Sequence, residues 1–291
     1  MPGIPLNESS QSFFNKLFMG STQINTEIPI QSYSILKEEL EYIGYGDGLP
    51  KTISLAVLNN TPKKYITKKT FYFGTDKYGR DLLSRLLIGT RISFFIGFIA
   101  VFISLFIGIG IGAIAGYYGG KIDALIMWII NITWSIPTLL LVIAITLALG
   151  KGYWRVFIAV GLTMWVEVAR VVRGQVLTTK QQQYVEAAKA LGYSNFRIIF
   201  RHILPNILAP IIVISAANFA AAILIESGLS FLGIGAQPPT PSWGAIIKNH
   251  YNYIILGKPY LAVIPGLAIM SLVMAFMLIG NALRDALDVK N

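Results

Sequence analysis

Cysteine is absent from this 291-residue chain, so neither disulfides nor thiolate metal sites are available to it. Histidine is almost absent: His202 and His250 stand alone, which argues against a metal centre or a nucleophile–base pair built on imidazole. Charge is also scarce, at 13% of residues against about 25% in an average soluble domain. The scarcity comes in blocks, since residues 93–120, 124–150, 203–225 and 259–283 contain no Asp, Glu, Lys or Arg. Each block is longer than the ~20 apolar residues that cross a ~30 Å hydrocarbon core. Buried core helices of soluble proteins are shorter and do not recur in this way. The chain therefore reads as an all-α integral membrane protein.

A phosphate loop is missing too. No GxxxxGK[ST] string occurs, and "GDGLPKT" fails the spacing, so this chain is not expected to hydrolyse ATP by itself. The net charge is +10, but the basic residues flank apolar blocks and form no tract interleaved with aromatics. Membrane topology accounts for them better than nucleic acid does.

A fifth span is less clean. "VFIAVGLTMWVEVARVV" (156–172) contains Glu167 and Arg170, each costly in the middle of a span. They stand three residues apart, so they share a helix face and reach toward the interface. Five spans are thus visible, at about 93–117, 124–149, 156–172, 206–226 and 261–283. Residues 71–92 read as an amphipathic lead-in, and 88–283 as one membrane domain.

Sidedness follows from the loop 173–202, which carries Arg173, Lys180, Lys189, Arg197 and Arg201 against one acid, Glu186. The positive-inside rule places it in the cytoplasm. The Glu226–Lys258 loop then lies outside and the "RDALDVKN" tail inside. Counting backward puts residues 1–91 outside, although Lys77, Arg80, Arg85 and Arg91 precede the first span. Long segments translocate despite their charge, and an earlier span absent from this sequence would produce the same count. Residues 1–70 read as a polar extracytoplasmic segment. Within it "SILKEELEYIG" (34–44) has the pattern of a short amphipathic helix stopped at Gly44, and "TPKKYITKKT" that of a basic loop.

The loop itself has a pattern. Residues 181–191 favour a helix through Ala187, Ala188 and Ala190. Gly192 stops it, since the residue after a helix often needs positive φ. Ser194 is placed to cap a second helix, and Pro205 to break or kink that one. The result is a helix–turn–helix on the cytoplasmic surface. Ala187 and Ala188 lack bulk, so a partner's groove could approach the backbone closely, with Glu186 and nearby positives fixing register. An ordinary connecting helix is the competing reading of the same spacing.

Glu186-Ala187-Ala188, Gly192 and Leu204-Pro205 resemble the EAA motif of bacterial ABC importer permeases. His202 departs from the wider pattern, yet "RHILPN" resembles the dipeptide, oligopeptide and nickel branch of that family. "FGTDKYGRDLLSRLLIGTRIS" (73–93), "ESGLSFLGIGAQPPTPSWG" (226–244) and "GNALRDALD" (280–288) are similar to further segments of that branch. The resemblance covers about residues 71–290. It implies the type I permease fold, usually with six spans, of which the first is not visible here. It also implies that the loop 173–205 is the ATPase-coupling loop, through Glu186, Ala187, Ala188, Gly192, His202, Leu204 and Pro205. Expected partners are a homologous permease subunit, two cytoplasmic ATPases that carry ATP and Mg²⁺, an extracytoplasmic solute-binding protein and membrane lipid. No cofactor or nucleic acid is expected on this chain, and its location is the bacterial inner membrane. Trp128 and Asn131 stand where many relatives have Arg and Asp, which puts a salt link inside that span in doubt.

Within the spans, Gly108, Gly112 and Gly116 recur every fourth residue. They read either as a close-packing stripe or as the ordinary glycine of membrane helices. Pro137 is expected to kink its helix, and Asn131 to need a partner away from lipid. Both are candidate pathway or hinge positions. Trp243, in a Pro-rich loop, reads as an interface anchor in preference to a contact with an external protein. A secondary transporter would carry more intramembrane charge than Glu167 and Arg170. A membrane enzyme would need a catalytic cluster that two isolated histidines do not form.

Overall fold

The computed structural model describes residues 28–36, 39–44, 48–55, 66, 68, 70–150, 153–236 and 241–287. The chain divides into two units, Met1–Arg85 and Leu86–Asn291. Most of the basic string at 61–70 (61–65, 67 and 69), the centre of the Pro-rich loop (237–240) and the last residues of the tail lie outside the described residues.

In the first unit the segment expected to be a helix is a sheet. Strands β1 (Ile30–Leu36), β2 (Glu39–Gly44) and β3 (Pro50–Ser54) form an antiparallel meander in the order β1-β2-β3. Leu40 faces Ile35 on one side and Ile53 on the other, and this pairing buries it. An 11-residue helix is marginal in water without packing, whereas the ladder satisfies both edges of β2 at once. Further along, Asp76 ties a knot. It is buried, and its carboxylate accepts from the backbone N–H of Tyr78 (2.8 Å) and Arg80 (2.9 Å) and from Arg80 Nε (2.7 Å). Asp81 then caps the first helix by accepting from Leu83 N and Ser84 N, both at 3.2 Å.

That helix, α1 (Leu82–Tyr118), has 37 residues, or about 55 Å at the usual rise. It thus begins inside what the sequence suggested was a lead-in. Next come α2 (Gly120–Ser135) and α3 (Thr138–Leu149), bent by 92° at the break between them. Pro137 has no N–H and disfavours helical geometry at the residue before it. Ile136 is accordingly extended (φ −89°, ψ 128°). Near the break Ser135 Oγ donates to Asn131 O (2.8 Å), satisfying a carbonyl at the helix end. What the sequence suggested was one kinked span is two helices at a right angle.

Helix α4 (Tyr153–Thr179) follows, and then the loop helix α5 (Gln183–Ala190). After these, α6 (Asn195–Ile198) runs through a π turn and a 3-10 turn into α7 (Leu208–Leu232). Helices α8 (Trp243–His250) and α9 (Tyr260–Leu287) complete the chain. Three helical segments are long and apolar enough to cross a membrane: α1, 195–232 and α9, with a fourth crossing if α2 and α3 count as one. The remaining helix of the five-span expectation, α4, carries Arg155, Glu167, Arg170 and Arg173. Much of it is enclosed. Val156, Ala159, Val160, Val168, Ala169, Val172 and Val176 are all essentially inaccessible. A helix shielded by its neighbours need not be apolar all round.

Helices α1 and α4 meet along the glycine stripe. A Cβ on Gly108 would lie 2.5 Å from Val168 Cβ, and one on Gly116 would lie 2.8 Å from both Arg173 O and Val176 Cβ. Gly112 sits equally tight between them, against Val172 Cβ at 2.9 Å. The four-residue period is thus the close-packing stripe, not background glycine. Helices α7 and α9 lie together through Phe219 and Phe276, stacked at 3.8 Å.

Two expectations for the outer loop are corrected. Helix α7 continues past Glu226, whose side chain is fully buried and accepts from Ser230 Oγ (2.6 Å). Trp243 is not an interface anchor. It is 3% exposed, and its Nε1 donates to Leu86 O (2.9 Å) beside Gly89, where a Cβ would lie 2.7 Å from the indole. An indole packed on glycine with its N–H satisfied has no need of the lipid headgroup region.

Candidate functional site

The loop between α4 and α7 is built as a closed motif. Its helix α5 has Glu186 in the first turn and Lys189 in the last, the charge order that suits the helix dipole. At its end Gly192 N donates to Lys189 O (2.9 Å) and Tyr193 N to Ala188 O (3.1 Å). This is a Schellman closure, with Gly192 at φ +76°. Ser194 caps α6 by accepting from Arg197 N (3.4 Å). The chain then widens into the π turn Ile199–Ile203 and tightens into the 3-10 turn Leu204–Ile207. Both are irregularities that Pro205 imposes, because it cannot donate and its ring crowds the carbonyl four residues back. Asn206 Nδ2 reaches back to His202 O at 2.7 Å.

Burial divides the expected residues. Val185 and Ala188 are buried in one apolar cluster with Val172, Val176, Ile198, Ile203 and Ile207. Leu204 packs against the same cluster. Ala188 is therefore the residue that seats α5 on its own protein, which corrects the expectation that both alanines offer their backbone to a partner. Glu186, Ala187 and Gly192 are exposed, with Leu191 (71%) beside them and Phe196 (70%) on the adjoining helix. His202 is half-buried and stacks on Tyr193 at 5.7 Å, and Pro205 is exposed. Partial burial raises the Tyr184 phenol above its ordinary value, so it remains a neutral hydrogen-bond donor at physiological pH.

The loop is anchored to α1 and α2 by polar contacts that sequence reasoning missed. Lys180 Nζ donates to Gly116 O (2.9 Å), a carbonyl left open at the end of α1. Tyr117 OH donates to Asn195 Oδ1 (2.8 Å). Arg173 forks onto Asp123, with Nη2 at 2.6 Å from Oδ2, the planar bidentate geometry that only arginine offers. The visible signal was Asp123 itself, a single acid between two charge-free blocks. Packing and directed hydrogen bonds thus tie the loop to the ends of α1, α2 and α4.

Away from the loop, Asn131 finds its partner. Its Oδ1 accepts from Arg170 Nη2 (3.0 Å), while that guanidinium lies 3.7 Å over the Trp134 ring. A charge-assisted hydrogen bond from a guanidinium to a neutral amide thus stands where a salt link was in doubt, and Arg170 is occupied by α2, not by Glu167. Pro137 forms the bend beside a cavity of about 240 Å³ lined by Thr133, Trp134, Thr163 and Glu167. Asn131 and Pro137 therefore flank the same bend, and neither touches the loop.

Residues 108–290 match the family model of the binding-protein-dependent transport system inner membrane component. The chain belongs to this family. Among similar transport components, the dipeptide transport system permease protein DppC of Alkalihalophilus pseudofirmus is 44% identical, over 75% of this chain and 72% of that one. The glutathione transport system permease protein GsiD of Escherichia coli O6:K15:H31 is 44% identical over 80% of this chain and 75% of its own. DppC of Bacillus subtilis is 42% identical over 75% of this chain and 68% of its own. In fold the inner membrane component resembles a chain of the MetNI methionine ABC transporter in inward-facing conformations. The TM-score is 0.59 at 18% identity, covering 70% of this chain and 97% of that one. The chain is thus a multi-pass transport permease of the bacterial inner membrane with the ABC importer permease fold.

Proposed function

We propose that this chain forms half of the translocation pathway of an ATP-binding-cassette importer for peptides. It pairs with a homologous permease, two cytoplasmic ATPase subunits that bind ATP and Mg²⁺, and an extracytoplasmic solute-binding protein. Residues 88–283 are the type I permease domain, 1–70 stand outside, and 173–205 couple to the ATPase. Relatives named for dipeptide and glutathione transport support the peptide class.

The observation that carries the coupling reading is the division of α5 into two faces. Val185 and Ala188 lock it to the membrane helices, while Glu186, Ala187 and Leu191 are left facing outward. A helix seated in a motor's groove needs both a grip outward and a stiff connection inward. Nucleotide-driven closure of the ATPases then shifts α5 and biases the spans between inward-open and outward-open states.

Glu186→Lys reverses the exposed charge, and Gly192→Asp places a new negative charge at the exposed turn. Either is expected to leave membrane insertion intact and to abolish co-purification of the ATPase. Undiminished association in a pull-down would count against the assignment.

A further inference from the structure

The cavity at the α2–α3 bend contains a charge with no assigned use. Glu167 projects into it from near the middle of α4, and among the described residues its carboxylate makes no ion pair or hydrogen bond. Arg170, one turn on, is committed to Asn131 and the Trp134 face. Glu167 is exposed on the charged helix α4, and a carboxylate without a counter-charge within a membrane domain marks a functional position.

Beside the Trp134 indole and the Thr138 hydroxyl, the lining contains two hydroxyls whose protons are already engaged. Thr163 Oγ1 donates its proton to Val160 O (2.8 Å) and Thr133 Oγ1 to Ile129 O (2.9 Å). With their protons used on their own helices, both hydroxyls present only oxygen lone pairs to the cavity. Glu167, Thr163 and Thr133 thus offer a carboxylate and two neutral acceptors to one ligand group. An ammonium group, with three donors and no acceptor, is the complement of that set. Ile136, Met164 and Ile225 supply apolar wall for the adjoining carbon chain.

We infer that this cavity is a transient site for a primary ammonium group, the protonated amino terminus of a transported peptide, with Glu167 as its counter-charge. The assignment rests on the peptide reading above, and the two fail in different ways.

The chain contains no cysteine, so Thr138→Cys, in the cavity wall, introduces its sole thiol. The assembled importer, reconstituted in proteoliposomes, is treated with trimethylammonioethyl or sulfonatoethyl methanethiosulfonate. Labelling of this chain is read by intact mass, and rates are normalised to those with a free thiol. A carboxylate-lined cavity concentrates cations, so the cationic reagent is expected to be favoured by about tenfold or more. Glu167→Gln should remove the preference and Glu167→Asp retain it. Millimolar dialanine should slow the labelling.

Protection by propylamine but not by dialanine would leave the ammonium site standing and count against the peptide reading. Equal normalised rates for the two reagents, as a basic residue of the partner permease would produce, overturn the proposal. So does absence of labelling at Thr138→Cys in an assembled complex. If that variant fails to assemble, Thr163→Cys on the facing helix is read in the same way.

Discussion

At the scale of single residues, Gly192 separates conformation from packing. Its φ of +76° lies in the left-handed region, yet a Cβ there would meet no atom within 4 Å. Any cost of substitution is therefore backbone strain alone, about 1–2 kcal/mol for an ordinary L-residue. Gly192→Ala is expected to raise protease cleavage within 183–207 about five- to thirtyfold in the purified complex, the opening equilibrium shifting by that strain. Gly192→Asn, which tolerates the left-handed region, should cost less. An alanine variant cleaved at the wild-type rate would mean that the Schellman closure does not limit loop opening. Arg173 shows the other kind of dependence, on geometry. Its fork onto Asp123 has no lysine equivalent, because an ammonium cannot make two parallel bonds to one carboxylate.

At the scale of elements, the α1–α4 seam is the joint through which the loop reaches the spans, and its glycines differ by face. Gly112 faces Val172 and the Ala169 carbonyl, whereas Gly110 on the same helix has nothing within 4 Å. Gly112→Leu should force α1 and α4 apart at the cost of overpacking, about 1–3 kcal/mol or more. It should also lower the melting temperature of the detergent-purified chain. Gly110→Leu should leave that temperature unchanged, and equal effects would refute the seam. This stripe, the break at Pro137 and the glycine stop at 192 were legible in the sequence, because each is a local rule with a fixed spacing. The sheet at 30–54 was not. Ile35, Leu36, Leu40 and Ile43 fit a helical period as well as a strand, and long-range pairing with Ile53 decides the matter. Trp243 and Glu226 were misread for a related reason, since their burial depends on partners at Leu86 and Ser230. At the candidate site, the sequence singled out the loop but not which of its alanines faces inward. That choice is made by the phase of α5 against the cluster around Val172 and Ile203.

At the scale of the whole molecule, sidedness decides whether a coupling loop is possible at all. Residues 173–202 carry five basic residues and one acid, and the charge-free stretch 203–225 follows them. Short basic loops stay on the cytoplasmic side. The absence of cysteine makes the test direct, with one introduced thiol per variant. Ala187→Cys, exposed on α5, is expected to react with a membrane-impermeant maleimide only after spheroplasts are permeabilised. Tyr33→Cys, on the exposed side of β1, is expected to react before permeabilisation. The pair also tests the count of crossings, because an odd number of spans between these positions is what puts them on opposite sides. Labelling of both from outside would remove α5 from the reach of any ATPase, and labelling of neither would place the sheet in the cytoplasm. Only opposite accessibility leaves a chain whose loop meets nucleotide-driven motion on one face while solute arrives at the other.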